Sequence, residues 1–225
     1  MDTEFELMKA LRTGHTVEFF KNSKWDEYIK EQPLGEIYLP TGKIVANDPL
    51  ILFETQPFAK AVAAGRYPVV LYIHHIDTDK RVAFAEIRFT KELPVHFELA
   101  LIVGQAAEAL GDDEFFGYGV DSGTGGFMDE CACKALQKLA EGFEDGMWPD
   151  LEKALDDSYV HTYSTANVVL PDSDCNIAAF SSGFGDGVYP TFWGMDAKGD
   201  VCCLITDFLT VDTAGEDDEG EDTHE

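Results

Sequence analysis

The chain has 225 residues, of which 45% are hydrophobic and 12% aromatic, so it can bury a core and is not globally disordered. It carries 43 Asp and Glu against 16 Lys and Arg, a net charge of −27. Nucleic acids and anionic membranes are bound by clustered Lys and Arg, so this balance argues against both as partners.

The N-terminus and the cysteines indicate the compartment. Asp2, Glu4 and Glu6 stand where a secretory signal would carry basic and then apolar residues. No apolar run approaches the roughly 20 residues that cross a bilayer. The five cysteines are an odd number and form no framework typical of small disulfide-rich proteins. We therefore expect a reduced, cytoplasmic protein; a mature secreted fragment is the alternative, because a removed signal leaves no trace.

Part of the acidity is concentrated at the C-terminus. The last 14 residues, Asp212 to Glu225, include eight acids and no Lys or Arg, and taking these eight from −27 leaves −19 on residues 1–211. Blocks of like charge without large apolar residues are typical of disordered segments. We predict one α+β domain over residues 1–211 and an acidic disordered tail over residues 212–225.

The N-terminal half predicts one short helix followed by strands. Trp25 to Glu31 indicates the helix, which Pro33 would end. Residues 35–46 are typical of a hairpin that turns at residues 40–42. Three successive strands are then expected at residues 67–76, 81–89 and 95–103. Their alternation predicts an antiparallel meander with one solvent-exposed face, and in the second strand it groups Ala83, Ala85, Ile87 and Phe89.

The C-terminal half predicts two helices and then more strands. Apolar residues recur at helical spacing from Met128 to Phe143, with Thr124 as the N-cap. A second helix begins at Pro149, a residue favoured at the first helical position. Strands follow at residues 166–170, 175–182, 188–195 and 201–211, and the last two form a hairpin. Strands on both sides of the helices favour an α+β fold, with a mainly antiparallel β-sandwich-like core and a helical insert.

The first segment that could carry chemistry is the glycine-rich run Gly117–Asp129. Such a loop before a helix can bind phosphate through its backbone N–H groups. This one has no Gly-Lys-Ser/Thr, and acids, Asp121, Asp129 and Glu130, stand where a base is needed. We interpret the segment as a tight strand-to-helix turn with acidic capping, and keep Asp121, Ser122 and Asp129 as candidate pocket residues.

A second glycine-rich run spans residues 181–196 and places Asp186 between two glycines, at the tip of a loop. Carboxylate and carbonyl oxygens in such loops can bind calcium, although the alternating acids of an EF-hand loop are missing. Ser182, Tyr189 and Trp193 are further candidate pocket residues, and for the two aromatic residues a place in the core is the better interpretation.

The third feature is Asp207, an acid on an otherwise apolar strand face. Burying a lone carboxylate is expensive, so Asp207 needs a partner, for which Arg66, Arg81 or backbone N–H groups are available. The alternative is that Asp121, Asp186 and Asp207 converge on a divalent cation. The histidines and cysteines give no zinc pattern, since the chain has no Cys-x-x-Cys. Apart from that alternative cation, we predict no cofactor.

Several short motifs of the chain together resemble a known family. These motifs are Asp48-Pro49-Leu50, Gly65-Arg66-Tyr67-Pro68-Val69, the run Gly117 to Gly123, Gly185-Asp186-Gly187, Tyr189-Pro190-Thr191 and Thr206-Asp207-Phe208. In order and spacing, over roughly residues 48–211, they resemble the bacterial "domain of unknown function 4241" family. That family carries no assigned activity, so the resemblance implies no catalytic residues.

Three functions are compatible with these observations. The leading hypothesis is a non-enzymatic acidic protein that masks a basic protein partner, as an immunity protein neutralises a toxin, because opposite potentials steer association. The second is a metal-assisted hydrolase of a small polar substrate that uses Asp121, Asp186 and Asp207. The third is a structural domain whose acidity serves solubility or adaptation to a salty cytoplasm.

Overall fold

Antiparallel strands dominate the computed structural model, which describes residues 28–52, 55–111, 114–144, 146–160 and 162–210. The predicted tail at residues 212–225, and the domain boundary before it, lie outside these ranges.

The described residues form eleven strands and two α-helices. The first seven strands are β1 (Ile29–Leu39), β2 (Ile44–Asn47), β3 (Gly65–Ile76), β4 (Asp79–Arg88), β5 (His96–Leu99), β6 (Gly117–Val120) and β7 (Thr124–Asp129). The helices follow as α1 (Glu130–Ala140) and α2 (Pro149–Ser158). The remaining strands are β8 (Thr165–Val169), β9 (Asn176–Ser181), β10 (Gly187–Met195) and β11 (Val201–Asp207).

The strands build two sheets. The larger has the order β1-β3-β4-β11-β10-β5, with β6 also paired to β10, and the smaller has the order β2-β7-β9-β8. Every pairing between these strands is antiparallel. The predicted α+β class with a sandwich-like antiparallel core is confirmed.

Three apolar clusters hold the layers together. The main core lies between the sheets and joins residues such as Val69 and Leu204 of the larger sheet to Phe127 and Phe180 of the smaller. The helix-side core covers the other face of the smaller sheet and includes Met128, Leu136, Trp148, Leu151, Leu155 and Ile177. The outer cluster lies on the other face of the larger sheet and includes Phe84, Phe97, Phe192 and Ile205. The helices therefore cover the smaller sheet.

The predicted helix from Trp25 to Glu31 is wrong over its described part, because Ile29 to Glu31 lie in β1 and pair with β3. Pro33 does not end this strand. β1 is an edge strand of the larger sheet, where a missing N–H is tolerated, and a bulge between Pro33 and Gly35 absorbs the irregularity. Pairing with a neighbouring strand outweighs the local helical pattern here.

The turn of the predicted hairpin over residues 35–46 is present, but the predicted pairing of its two strands is wrong. The N–H of Gly42 donates to the carbonyl of Leu39, as expected of the turn. The strands on either side enter different sheets, since β1 pairs with β3 and β2 pairs with β7. The turn is a corner between the two sheets rather than the end of a hairpin.

The predicted meander is correct for its first two strands and wrong for the third. β3 and β4 form a hairpin, whereas β5 pairs with β10 and two strands lie between β4 and β5. Both faces of β4 are buried, because Phe84 enters the outer cluster. A bulge displaces Ala83, so that Val82, Ala85 and Ile87 share the main core.

The helices follow the sequence more closely. α2 begins at Pro149 and buries Leu151 and Leu155, as predicted. The N-cap of α1 is Asp129 rather than Thr124, which begins β7. The predicted hairpin of the last two strands is present as β10 and β11. Neither helix of the described chain is long enough to cross a membrane.

Candidate functional site

The two glycine-rich loops meet at one end of the sandwich. β6 and β10 are antiparallel with Val120 opposite Gly187, so the loop after β6 lies beside the loop before β10. The N–H of Ser182 donates to the carbonyl of Gly123 at 3.0 Å, and the N–H of Gly123 donates to Asp186 Oδ1 at 2.9 Å. These two hydrogen bonds join the two glycine-rich loops.

Asp48, which we did not predict as a site residue, holds the loop that joins β6 and β7. Its Oδ2 accepts the N–H groups of Asp121 and Ser122 at 3.0 and 2.8 Å. Its Oδ1 accepts the Ser122 hydroxyl at 2.8 Å and the N–H groups of Leu50 and Ile51 at 3.0 and 3.1 Å. Five donors surround this fully buried carboxylate, which neutral N–H and O–H groups therefore satisfy.

The loop before β10 is closed by its own hydrogen bonds. The Ser182 hydroxyl donates to the carbonyl of Gly185 at 2.7 Å, and the Tyr189 hydroxyl donates to the same carbonyl at 2.7 Å. Gly183 and Gly185 have φ angles of +51° and +122°, which favour glycine. Ser182 and Tyr189 thus fold this loop onto the sheet, and Asp186 extends from it to the neighbouring loop.

Asp207 is buried and nearly without partners. The N–H of Leu209 donates to Oδ1 at 2.8 Å, whereas buried Oδ2 has no hydrogen-bond partner in the part of the chain that the structure describes. Burial raises the pKa of Asp207 to about 7, and the Leu209 N–H opposes the increase. The backbone partner that we considered is present and the arginine partners are not: Arg81 pairs with Asp79 at 2.7 Å, and Arg66 stacks over the Tyr38 ring.

The three aspartates of the metal hypothesis have different surroundings. Asp121 and Asp186 are exposed, and Asp186 uses one oxygen to hold Gly123. Asp207 is buried and 1% exposed. Within the described ranges, no group of three or more His, Cys, Asp or Glu side chains is positioned to hold a metal ion.

The other candidate residues stabilise the fold. Tyr189 and Trp193 lie in the main core, which was the better interpretation for both. Asp129 is fully buried and caps α1 by accepting the N–H of Cys131 at 2.9 Å. The same carboxylate accepts the N–H and the hydroxyl of Thr41, so it also fixes the turn between β1 and β2. The predicted acidic capping is confirmed at Asp129, but the predicted strand-to-helix turn is wrong, because the run Gly117–Asp129 contains β6 and β7.

A cleft of about 210 Å³ lies beside β6. Its lining carries amides, hydroxyls and aromatic rings but no charged side chain: Ala46, Asn47, Thr55, Gln56, Phe58, Ala100, Ile102, Gln105, Phe116, Gly117, Tyr118, Gly119 and Thr191. Among the described residues, no hydrogen-bond partner reaches the buried Asn47 Nδ2. No spacing in the sequence could indicate this cleft, because distant segments assemble it.

Exposed acids are dense between Glu141 and Asp157, which we call the acidic segment. Its exposed described acids are Glu141, Glu144, Asp150, Glu152, Asp156 and Asp157, and its only cation is Lys153. Lys153 is already paired with Asp157. Exposed apolar side chains lie in and after the segment, at Phe143, Tyr159 and Val160.

Comparison with known protein families gives a match. A family model described as "protein of unknown function (DUF4241)" matches residues 37–206. No curated protein and no solved structure matches the chain.

Proposed function

Since the chain belongs to the DUF4241 family of proteins of unknown function, we propose a function from its charge and its surface. The protein is an acidic binding protein that masks a basic protein partner, in the manner of an immunity protein that neutralises a bacterial toxin in the cytoplasm. The observation that carries the proposal is the large excess of acidic residues, with a net charge of −27.

The acidic segment is the part of the described surface that supports the proposal best. α2 buries Leu151 and Leu155 against the smaller sheet, so its acids Asp150, Glu152 and Asp156 face solvent. A run of acids on one exposed face produces a local negative potential. Such a potential accelerates encounter with a basic surface and fixes the orientation of the complex.

Apolar side chains beside the acids favour a protein partner over a small cation. Tyr159 and Val160 directly follow α2 and are 60% and 52% exposed. Protein interfaces combine aromatic and aliphatic contacts with a charged rim. A basic protein can therefore bury Tyr159 and Val160 while its Lys and Arg pair with the acids of α2.

The test is affinity capture followed by kinetics. The immobilised chain is incubated with a lysate of the source organism at about 50 mM salt, and the captured proteins are identified and purified. The association rate of the basic protein is then measured with the triple variant Asp150→Asn, Glu152→Gln, Asp156→Asn. We expect the rate to fall about tenfold, because these charges steer association.

A matched control separates this surface from net charge alone. The variant Glu36→Gln, Glu92→Gln, Asp200→Asn also neutralises three exposed acids, all of them on strands or loops of the larger sheet. It should bind about as fast as the wild-type protein. Equal slowing by both variants would reject the acidic segment as the interface. An association rate that ignores salt between about 50 and 300 mM would reject electrostatic masking altogether.

A further inference from the structure

Two cysteine side chains from separate parts of the chain meet at the beginning of α1. Cys131 Sγ and Cys175 Sγ are 2.8 Å apart, although 44 positions separate the two residues in the sequence. Cys131 lies in the first turn of α1, and Cys175 directly precedes β9. Both are free thiols. A disulfide bond is about 2.05 Å long, so the two sulfurs need to approach each other by less than 1 Å.

The backbone on both sides of this pair is held in place. Asp129 accepts the N–H of Cys131 at 2.9 Å. The Ser173 hydroxyl accepts the N–H of Cys175 at 3.0 Å, and the N–H of Leu170 donates to the carbonyl of Cys175 at 2.9 Å. The proximity of the sulfurs is thus a consequence of ordered structure on both partners.

We propose that Cys131 and Cys175 are a site of reversible oxidation, which a small disulfide compound such as oxidised glutathione converts into an intramolecular disulfide. Cys131 is half-buried and Cys175 is 8% exposed, so the small disulfide reacts first at Cys131.

The reaction is thiol–disulfide exchange in two steps. In the first, Cys131 loses its proton and its sulfur attacks one sulfur of oxidised glutathione, so that the glutathione disulfide bond breaks and one glutathione leaves and takes up a proton. In the second, Cys175 loses its proton and attacks Cys131 Sγ, so that the bond between Cys131 and glutathione breaks and the second glutathione leaves and takes up a proton. The two protein thiols are oxidised, and one oxidised glutathione is reduced to two reduced molecules.

The surroundings make the first step slow. Burial raises the pKa of Cys131, and the neighbouring Cys175 and Asp129 raise it further. Little thiolate is present at neutral pH, and the thiolate is the attacking species. Oxidation therefore requires an oxidising environment or prolonged exposure, and the pair stays reduced otherwise.

The disulfide would connect the ends of residues 131–175, the part of the chain that holds α2 and the acidic segment. Closing a loop of this length restricts the unfolded chain and stabilises the folded one. This consequence does not depend on the partner proposed above, because it is a property of the isolated chain.

The test uses the full chain and oxidised glutathione. The reduced protein is incubated with the reagent, remaining thiols are blocked, and the protein is digested and mapped by mass spectrometry. We expect a peptide pair that links Cys131 to Cys175, an intact mass lower by two hydrogen atoms, and a thermal midpoint higher by about 5–10 °C, all reversed by dithiothreitol.

Two variants sharpen the result. Cys175→Ser should stop the reaction after its first step and carry one glutathione on Cys131, whereas Cys133→Ser should form the same disulfide as the wild-type protein. Cys133 is a matched control because it lies on the same helix, with its Sγ 3.1 Å from the Thr55 hydroxyl. Mapping of the wild-type protein needs no variant to fold. A folded wild-type protein that keeps both thiols free, or that links a different pair, would overturn the proposal.

Discussion

Asp48, Glu86 and Asp207 are buried carboxylates that differ in the donors around them. Asp48 accepts five hydrogen bonds from backbone and hydroxyl groups. Glu86 Oε2 accepts the Tyr72 hydroxyl and pairs with Arg88 Nε, each at 2.7 Å. Within the described ranges, Asp207 accepts one hydrogen bond, from the N–H of Leu209. An unpaired buried charge is costly. Because Asp207 has the fewest donors of the three, burial favours its protonated form.

This difference predicts a pH dependence of stability. The pKa of Asp207 is about 7 in the folded protein against an ordinary value of 3.8. The folded chain therefore keeps a proton on Asp207 that the unfolded chain releases. The stability that this proton gives to the folded chain is complete below about pH 4 and is lost as the pH rises through 7. As the pH rises from 4 to 8, the free energy of unfolding of the wild-type protein should therefore fall by about 2–4 kcal/mol relative to that of Asp207→Asn, which has no carboxyl group at this position.

Urea denaturation at a series of pH values measures this difference. Glu92→Gln is the control, because it removes one acid from an exposed position of the chain. Parallel profiles for the wild-type protein and Asp207→Asn would show that Asp207 is ionised in the folded chain.

At the scale of elements, β10 organises the end of the sandwich where the loops meet. Its first half pairs with β6 and its second half with β5, so one strand connects two short ones to the larger sheet. β6 and β7 are joined by residues 121–123, whose N–H groups donate to carboxylates outside the link. Asp48, the residue that follows β2, accepts two of them, and Asp186 accepts the third.

Asp48→Asn tests this role. An amide presents one acceptor oxygen, and its NH₂ group would face N–H donors, so some of the five donors lose their acceptor. We expect the free energy of unfolding to fall by about 2–4 kcal/mol, measured by urea denaturation. Asp121→Asn changes an exposed side chain in the same loop and should cost less than about 0.5 kcal/mol. Equal effects of the two substitutions would contradict the assignment of Asp48 as the anchor.

At the scale of the whole molecule, the dominant property is the net charge of −27. Self-repulsion of this size opposes the compact state. The described ion pairs offset little of it, because pairs such as Lys60–Glu98 and Lys153–Asp157 lie on the surface, where their contribution is small.

Salt should therefore stabilise the protein. Raising the salt concentration from about 10 to 300 mM shortens the screening length several-fold, and the thermal midpoint should rise by several degrees. A chain that ends at Thr213 lacks seven of the eight acids at the C-terminus and should show a smaller rise. Calorimetry of both chains measures the difference. A midpoint that falls with salt would mean that ion pairs outweigh repulsion.

Much of the candidate site could be predicted from the sequence, but the contact between Asp48 and the loop of residues 121–123 could not. The loops with Asp121 and Asp186 are marked by glycines, and the apolar neighbours of Asp207 indicate a buried acid. Asp48 carries no such signal, because three of its five donors, the N–H groups of Asp121 and Ser122 and the Ser122 hydroxyl, lie 73 or 74 positions away. Nothing in the order of residue types specifies a contact with a distant backbone.

The sequence by itself determined the positions of most strands and of both helices, because apolar spacing and proline placement act within a few residues. It also determined the net charge and the α+β class. Only the tertiary structure decided that β5 pairs with β10, that β1 and β2 enter different sheets, and that Cys131 meets Cys175. These outcomes depend on which apolar faces pack together between distant segments, and that choice is made by the core as a whole.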